Sequence, residues 1–395
     1  MNGRTSGSAS AAPDALFVVR GHRGAPPTHP GVIDGLGRMV ADGTLRGAST
    51  ITVDLSDAVR RDAANWRSII DHVRRRRSEF VVLHHFHSPH LPDPRRGIER
   101  LRALPHRPVV ALTNGDAFFD GFFRPKFPRM FLQAAEVVDA VFSTSMGRSA
   151  DLIADRTGRR TALLPHGSCQ ARFGTRIGTA PARREFRVAF IGSRNRPRNP
   201  ARSSHWYARH RERLVRRCSE TFGAGFALFG HGWEGIEGWQ GPVPYARQHE
   251  ACRRAELVVG GVPYSGSRYY ASDRPFNQIR SGVPFVDLAV AGVETILRDG
   301  EHWHLGHTID EVLDRCDELL CRPAQERAEA GAAAAAYVLA HHTEEQRCRS
   351  LISTLVALRQ ALLGGVPPPL PDLGFLLPDV DRGLEGPLAT RVWGG

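Results

Sequence analysis

The sequence predicts an α/β protein of two Rossmann-like, doubly wound domains facing each other across a cleft. Three observations predict it. At 395 residues the chain is too long for one ordinary core and comfortable for two. Short apolar runs of strand length alternate with helix-type segments, the pattern of parallel βαβ units. That pattern lapses once, from Ser168 to Glu185, where Gly, Thr, Pro and Arg dominate, and then restarts.

In the first half, Leu16 to Val19 reads as a strand and is followed by the loop GHRGAPPTHPG. Val32 to Asp42 has helical spacing, Thr50 to Leu55 is a second strand, and Asp62 to Arg77 is an amphipathic helix with Trp66, Ile69, Ile70 and Val73 on one face. Phe80 to Leu83, Val109 to Leu112, Val138 to Ser143 and Thr161 to Leu164 are further strands. In the second half, Phe186 to Ile191, Phe226 to Phe229, Leu257 to Val259 and Pro284 to Leu288 read as strands. Helices are expected at Ser204 to Phe222, Arg247 to Arg254, about Arg274 to Ser281, Ile309 to Leu320 and Ala324 to Leu362. The expected organisation is a disordered N-terminus (1–15), a first domain (16–167), a linker (168–185), a second domain (186–362) and a Pro-rich tail (363–395). So many prolines exclude a regular helix at the end, leaving a tail or a strap laid across the other domain.

Composition narrows the function. Hydrophobic content of 41% and charged content of 24% suit a water-soluble protein, and no apolar run approaches a bilayer span. No apolar segment follows Arg4, so a cytoplasmic address is expected. The net charge of +12 raises nucleic acid as a partner. Of the 53 basic residues, however, only Lys126 is a lysine, an imbalance that resembles the codon preference of a GC-rich genome. Arginine also offers the planar fork that pairs with phosphate oxygens. Six scattered cysteines carry no zinc spacing and read as reduced structural thiols.

The chemistry should lie in the loops beyond the strands' carboxyl ends. After Leu257 to Val259 comes GGVPYSGSRYYASDRPFNQIRSG. Ser272 or Asp273 suits a helix N-cap, Pro275 the first turn and Gly282 the end. Such a helix start presents backbone N–H groups and a partial positive charge that suit a diphosphate, with Arg274 adding a fork. The plainer reading is an ordinary capped helix with Arg274 in a surface ion pair.

DRPFNQIRSGVPFVDL resembles the donor-binding signature of family-one-type glycosyltransferases with the GT-B fold, in particular the CgeB-like spore-maturation group. FRVAFIGS, LFGHGWEG, ETILRDGEHW and AEAGAAAAAYVLAHHTEEQR are similar to further stretches of that domain in the same order, over roughly Phe186 to Leu355. The resemblance implies a transferase moving a sugar from a nucleotide diphosphate sugar to an acceptor hydroxyl, with no other cofactor and no metal. It implies a donor site that draws Gly192, Arg194 and Arg196 from the first loop of the second domain and Gly230, His231, Gly232 and Trp233 from the next. Ser272, Asp273, Arg274, Phe276 and Asn277 complete it. Arg198 is a further candidate to neutralise the leaving group. Asn277 stands where many members place a ribose-holding glutamate. Trp233 reads equally as a core residue.

An inverting transferase needs a base on the acceptor hydroxyl. Asp116, in TNGDAFF, and His22, after the first strand, are both expected candidates. LHHFHSPH offers His84, His85, His87 and His90, but neither HxxxH spacing nor a spaced carboxylate accompanies them, so no metal site is expected. The rivals are a nucleotide-sugar epimerase of the same fold and an Arg-rich nucleic-acid-binding or assembly protein, including a transferase acting on modified DNA bases. Aromatic residues do not interleave the arginine clusters, which disfavours pure nucleic-acid binding.

Overall fold

A computed structural model describes residues 12–21, 29–54, 58–86, 91–116, 119, 124–174, 177, 184–194, 199, 203–261, 267–366 and 374–378. The first sheet comprises β1 (Asp14–Gly21), β2 (Gly47–Asp54), β3 (Phe80–His84), β4 (Val109–Asn114), β5 (Ala140–Ser143) and β6 (Thr161–Leu163). Its order is β2-β1-β3-β4-β5-β6 and every pair is parallel. The second comprises β7 (Phe186–Ile191), β8 (Phe226–Phe229), β9 (Trp239–Gly241), β10 (Ala255–Val259), β11 (Phe285–Leu288) and β12 (His304–Gly306). It is likewise parallel, in the order β12-β11-β10-β7-β8-β9. The chain reverses direction across the first sheet between β1 and β3, and across the second between β7 and β10. These two switch points place ligand crevices at the strands' carboxyl ends.

Burial on both faces explains the apolar strands. In β1, Leu16 and Val18 join one core with Trp66, Ile69, Ile70 and Val73 of α2 (Ala58–Arg76). Ala15, Phe17 and Val19 join the opposite core with Val32, Leu36 and Met39 of α1 (Pro30–Ala41). Helices α3 (Arg95–Arg102), α4 (Arg129–Val137) and α5 (Arg148–Thr157) fill the remaining crossovers, and α6 (Gln170–Phe173) is one turn after β6. In the second domain α7 (Ser203–Phe222) and α10 (Ile309–Cys321) cover one face, while α8 (Gln248–Arg253), α9 (Asp273–Ile279) and α11 (Ala324–His341) contribute to the other.

The helix expected over Ala324 to Leu362 is two helices. It breaks at His342 and Thr343, and α12 (Glu344–Gly364) starts on a capping box in which Thr343 and Gln346 satisfy each other's backbone N–H groups. Cys348, Leu351, Ile352, Leu355 and Leu358 of α12 pack with α1 in the core of the first sheet, so the chain crosses back to the domain it left. The two crossings run side by side. Ser168 N–H donates to His342 O at 2.7 Å and Glu344 N–H to Ser168 O at 3.0 Å. A Cβ at Gly167 would come within 2.5 Å of the Thr343 backbone, so the crossing requires glycine there.

Arg347 braces the crossing from within. It is 5% exposed, pairs with no carboxylate among the described residues, and donates to Pro165 O, His166 O, His341 O and His342 Nδ1. Its guanidinium lies over the Phe276 and Phe375 rings, and burial pushes its pKa down to about 9. Within the Pro-rich end, the described residues 374–378 bury Phe375, Leu376 and Leu377 against the second domain's core, with Leu377 N–H on Thr295 O. All six cysteines are free, and only Cys321 is exposed. No helix of the described residues is long and apolar enough to cross a membrane.

Candidate active site

Three cavities meet around Asp273 and Ser272. The largest, about 300 Å³, lies between the domains and is lined by the ends of β3, β4 and β6, by Ser272 and Asp273, and by Glu344 and Arg347 of α12. A second, about 220 Å³, lies over the β7 and β8 turns at Gly192, Ser193, Gly230 and His231 and reaches Arg274. The third, about 110 Å³, joins Arg274 to Arg211, Asp287 and Gly261. The latter two occupy the switch point of the second sheet.

The glycine turns there are steric necessities. Gly230 has φ +140, and a Cβ on it would lie 2.3 Å from Gly192 O. Two strand-end turns therefore press backbone to backbone, opening the space occupied by no side chain. Arg274, half-buried, projects from α9 into both second-domain cavities and forms no hydrogen bond or ion pair among the described residues. Asp287 lies on the same cavity; burial pushes its carboxyl up to about 7, and it accepts from Leu288 N–H at 2.8 Å. Ser272 occupies the N-cap position of α9 but makes no side-chain cap bond, so the expected capping is not made. Its hydroxyl lies on two of the cavities instead.

Several expected donor contacts are placed elsewhere. Arg194 turns onto Glu212, with Nε 3.2 Å from Oε2, and over the Trp233 ring; its charge is already balanced. Trp233 is fully buried and donates from Nε1 to Gly192 O at 2.6 Å, so it shapes the turn from behind rather than stacking on a ligand. Gly232, at φ +82, packs on the Arg194 backbone. Phe276 is fully buried against His342. Asn277, 1% exposed, spends its amide on Tyr245 OH (2.7 Å), Asp273 Oδ2 (3.2 Å) and, as acceptor, Cys169 N–H (3.2 Å). It ties the linker to α9 and lines none of these three cavities. His22, Arg196 and Arg198, like His87 and His90, lie outside the described residues.

Sequence reasoning missed four residues of the cleft. Tyr245, in the turn before α8, donates to Asp273 Oδ2 at 2.5 Å and fixes that carboxylate. Arg172 of α6 lies over the Tyr245 ring at 4.7 Å and on the interdomain cavity. Glu344 opens α12 beside Gly31 and the Cys169 thiol, and burial pushes its carboxyl up to about 7. His166 donates from Nε2 to Gly115 O at 2.6 Å, bracing the loop that carries Asp116. Asp116 lines the interdomain cavity in a tight turn held by Asn114, whose Nδ2 donates to Asp116 O and whose Oδ1 accepts from Asp116 N–H.

The glycosyl transferase-like family matches residues 202–353 of the chain. No curated protein matches it. Among solved structures, HepE of Anabaena in complex with UDP and glucose aligns at 12% identity and a TM-score of 0.54, over 87% of this chain and 99% of that one. Sucrose-phosphate synthase of Thermosynechococcus elongatus aligns at 12% identity and 0.53, over 89% and 99%. TarM aligns at 12% identity and 0.50 over 74% of this chain, which spans 58% of its length. At such identities these likenesses establish the fold, and the family match supplies the activity. The chain is therefore a glycosyltransferase with the GT-B fold, its glycosyl transferase-like stretch lying at residues 202–353.

Proposed function

We propose that the second-domain cavities hold a nucleoside diphosphate sugar, with UDP-glucose the first donor to test, and that the first domain presents an acceptor hydroxyl across the cleft. In this reading residues 16–167 bind the acceptor and 186–362 the donor, although α12 packs on the first sheet. The observation that carries it is Arg274, a half-buried cation without an ion pair among the described residues, set where two cavities join at the switch point. A diphosphate there gains a charge-assisted fork and the cavity its missing anion. Ser272 adds a hydroxyl, and Gly192 and Gly230 allow close backbone approach. Arg274 supplies positive charge on the leaving group, so the donor side is read as metal-independent. The UDP and glucose of HepE support this choice of donor.

Asp116 is our first candidate for the base, from its place on the cavity opposite Asp273. His22 remains the second candidate. DRPFNQIRSGVPFVDL supports grouping the chain with the CgeB-like proteins, and a cytoplasmic location belongs to the same reading. The test is thermal stabilisation by UDP, ADP, GDP and UDP-glucose, on the wild type and on Arg274→Ala. We expect UDP to stabilise the wild type and Arg274→Ala to weaken it by about 100-fold, on the order of 3 kcal/mol for a desolvated charge pair. Stabilisation by no nucleotide, or an unchanged response in Arg274→Ala, rejects the reading.

A further inference from the structure

Three imidazoles converge at the switch point of the first sheet. His29 precedes α1, His84 ends β3 and His85 follows it. One ring nitrogen from each lies within 4.8 Å of the other two, and among the described residues this is the only group of His, Cys, Asp or Glu with metal-ligand spacing. We propose that His29, His84 and His85 bind a transition-metal cation, zinc or a chemically similar one, on the acceptor side of the cleft. Only the words "acceptor side" rest on the functional reading above; the binding itself does not.

The geometry is close to what zinc requires. Three nitrogens no more than 4.8 Å apart lie at most about 2.8 Å from their common centre, against ~2.0–2.1 Å for a Zn–N bond, so each needs to move inward by no more than roughly 0.7 Å. Side-chain rotation supplies that. An all-imidazole set favours zinc, copper, nickel or cobalt over magnesium or calcium, which take oxygen ligands. Three protein ligands beside a cavity of about 300 Å³ leave a coordination position for an exogenous oxygen.

The rings are held as ligands are held. His84 is buried against Phe17, and its Nδ1 lies 3.2 Å from Thr113 Oγ1. In the tautomer in which Nδ1 donates, Nε2 carries the lone pair, as an outer-shell hydroxyl arranges for a metal-binding histidine. His85 adopts φ +47, a conformation costly for a residue with a Cβ and characteristic of functional sites. Its N–H donates to the same Thr113 Oγ1, and its ring lies over Gly115 so closely that a Cβ there would come to 2.3 Å. His84 and His85 stack at 4.1 Å, and His29 meets both edge-on at 4.7 and 5.0 Å. Arg172, His166, Asp116, Asp273 and Glu344 line the same cavity.

The test is metal titration of the metal-free full chain. Cobalt(II), followed by its visible ligand-field absorption, should bind at one equivalent with bands of low coordination number and be displaced by zinc. His29→Gln and His84→Gln should each weaken binding by at least about 100-fold, the upper end of what even an outer-shell partner costs. Both variants should keep their UDP-induced stabilisation, which verifies folding and leaves the donor reading separately testable. The double variant His87→Gln, His90→Gln should retain the metal. Absence of cobalt bands, binding that survives His29→Gln and His84→Gln, or binding lost only in the His87, His90 variant each overturns the proposal.

Discussion

Replacing Arg347 by methionine tests how the two crossings between domains are held. The substitution keeps most of the buried stem and removes the guanidinium. Pro165 O, His166 O, His341 O and His342 Nδ1 then lose their donor in a dry site. Four such losses at about 2 kcal/mol each come to roughly 8 kcal/mol. Against this, the buried charge disappears. A pKa pushed down to about 9 marks a charge disfavoured by roughly 5 kcal/mol, and that is recovered. The net expectation is about 3 kcal/mol of destabilisation. Arg349 is the control: it lies on the same helix but is 36% exposed, and its pairs with Asp42 and Glu345 are solvent-screened and contribute little. Urea unfolding followed by far-UV circular dichroism would compare Arg347→Met with Arg349→Met. If the two lose the same small amount, the buried arginine contributes nothing net and the bracing argument fails.

Asp287→Asn should change the pH dependence of stability. Its folded pKa of about 7 is raised above the ordinary 3.8, so its contribution is full below pH 3.8 and lost as pH rises through 7. The loss is at most about 4 kcal/mol, and asparagine, which can still accept from Leu288 N–H, should flatten the slope in urea unfolding between pH 4.5 and 8. Trp233→Phe should cost about 1–3 kcal/mol through the orphaned Gly192 carbonyl yet leave UDP affinity within a few-fold; a large affinity loss at unchanged stability would instead make Trp233 a ligand contact. Gly230→Ala should lower the melting temperature and abolish UDP stabilisation together, because its Cβ drives Gly192 O out of place; retention of both would show that the turn tolerates a side chain.

The fold was legible because both sheets are buried on both faces, which makes their strands continuous apolar runs bounded by turn residues. Strands β9 and β12, three residues each, leave no such run. The break between α11 and α12 escaped because Ala-rich helical spacing continues through it, yet Thr343 and Gln346 stand at capping-box spacing and mark the restart. At the site, periodicity locates a loop but not the direction of each side chain. Arg274, Ser272 and Gly230 lie on cavities, whereas Trp233, Phe276 and Asn277, drawn from the same stretches, point into the core. His29, His84 and His85 come together only because β1 and β3 are neighbours. That adjacency belongs to strand order, which spacing along the chain does not reveal.

The placement of the hinge carries a functional consequence. Pro165, His166, Gly167, Glu344 and Arg347 hold the two crossings, and the same residues line the interdomain cavity. A change in the angle between the domains therefore reshapes the space between Asp116 on one side and Ser272 and Asp273 on the other. Donor contacts at Arg274 lie wholly within the second domain and should be insensitive to that angle. Substitutions at the crossing are thus expected to reduce turnover while leaving UDP stabilisation in place, whereas substitutions at Arg274 should reduce both. Gly167→Ala separates the two: its Cβ meets the Thr343 backbone at the crossing and touches no donor residue. Lost transfer with retained UDP binding is the result that ties cleft closure to catalysis. Equal loss of both would mean that the donor cavities, too, depend on how the domains are joined.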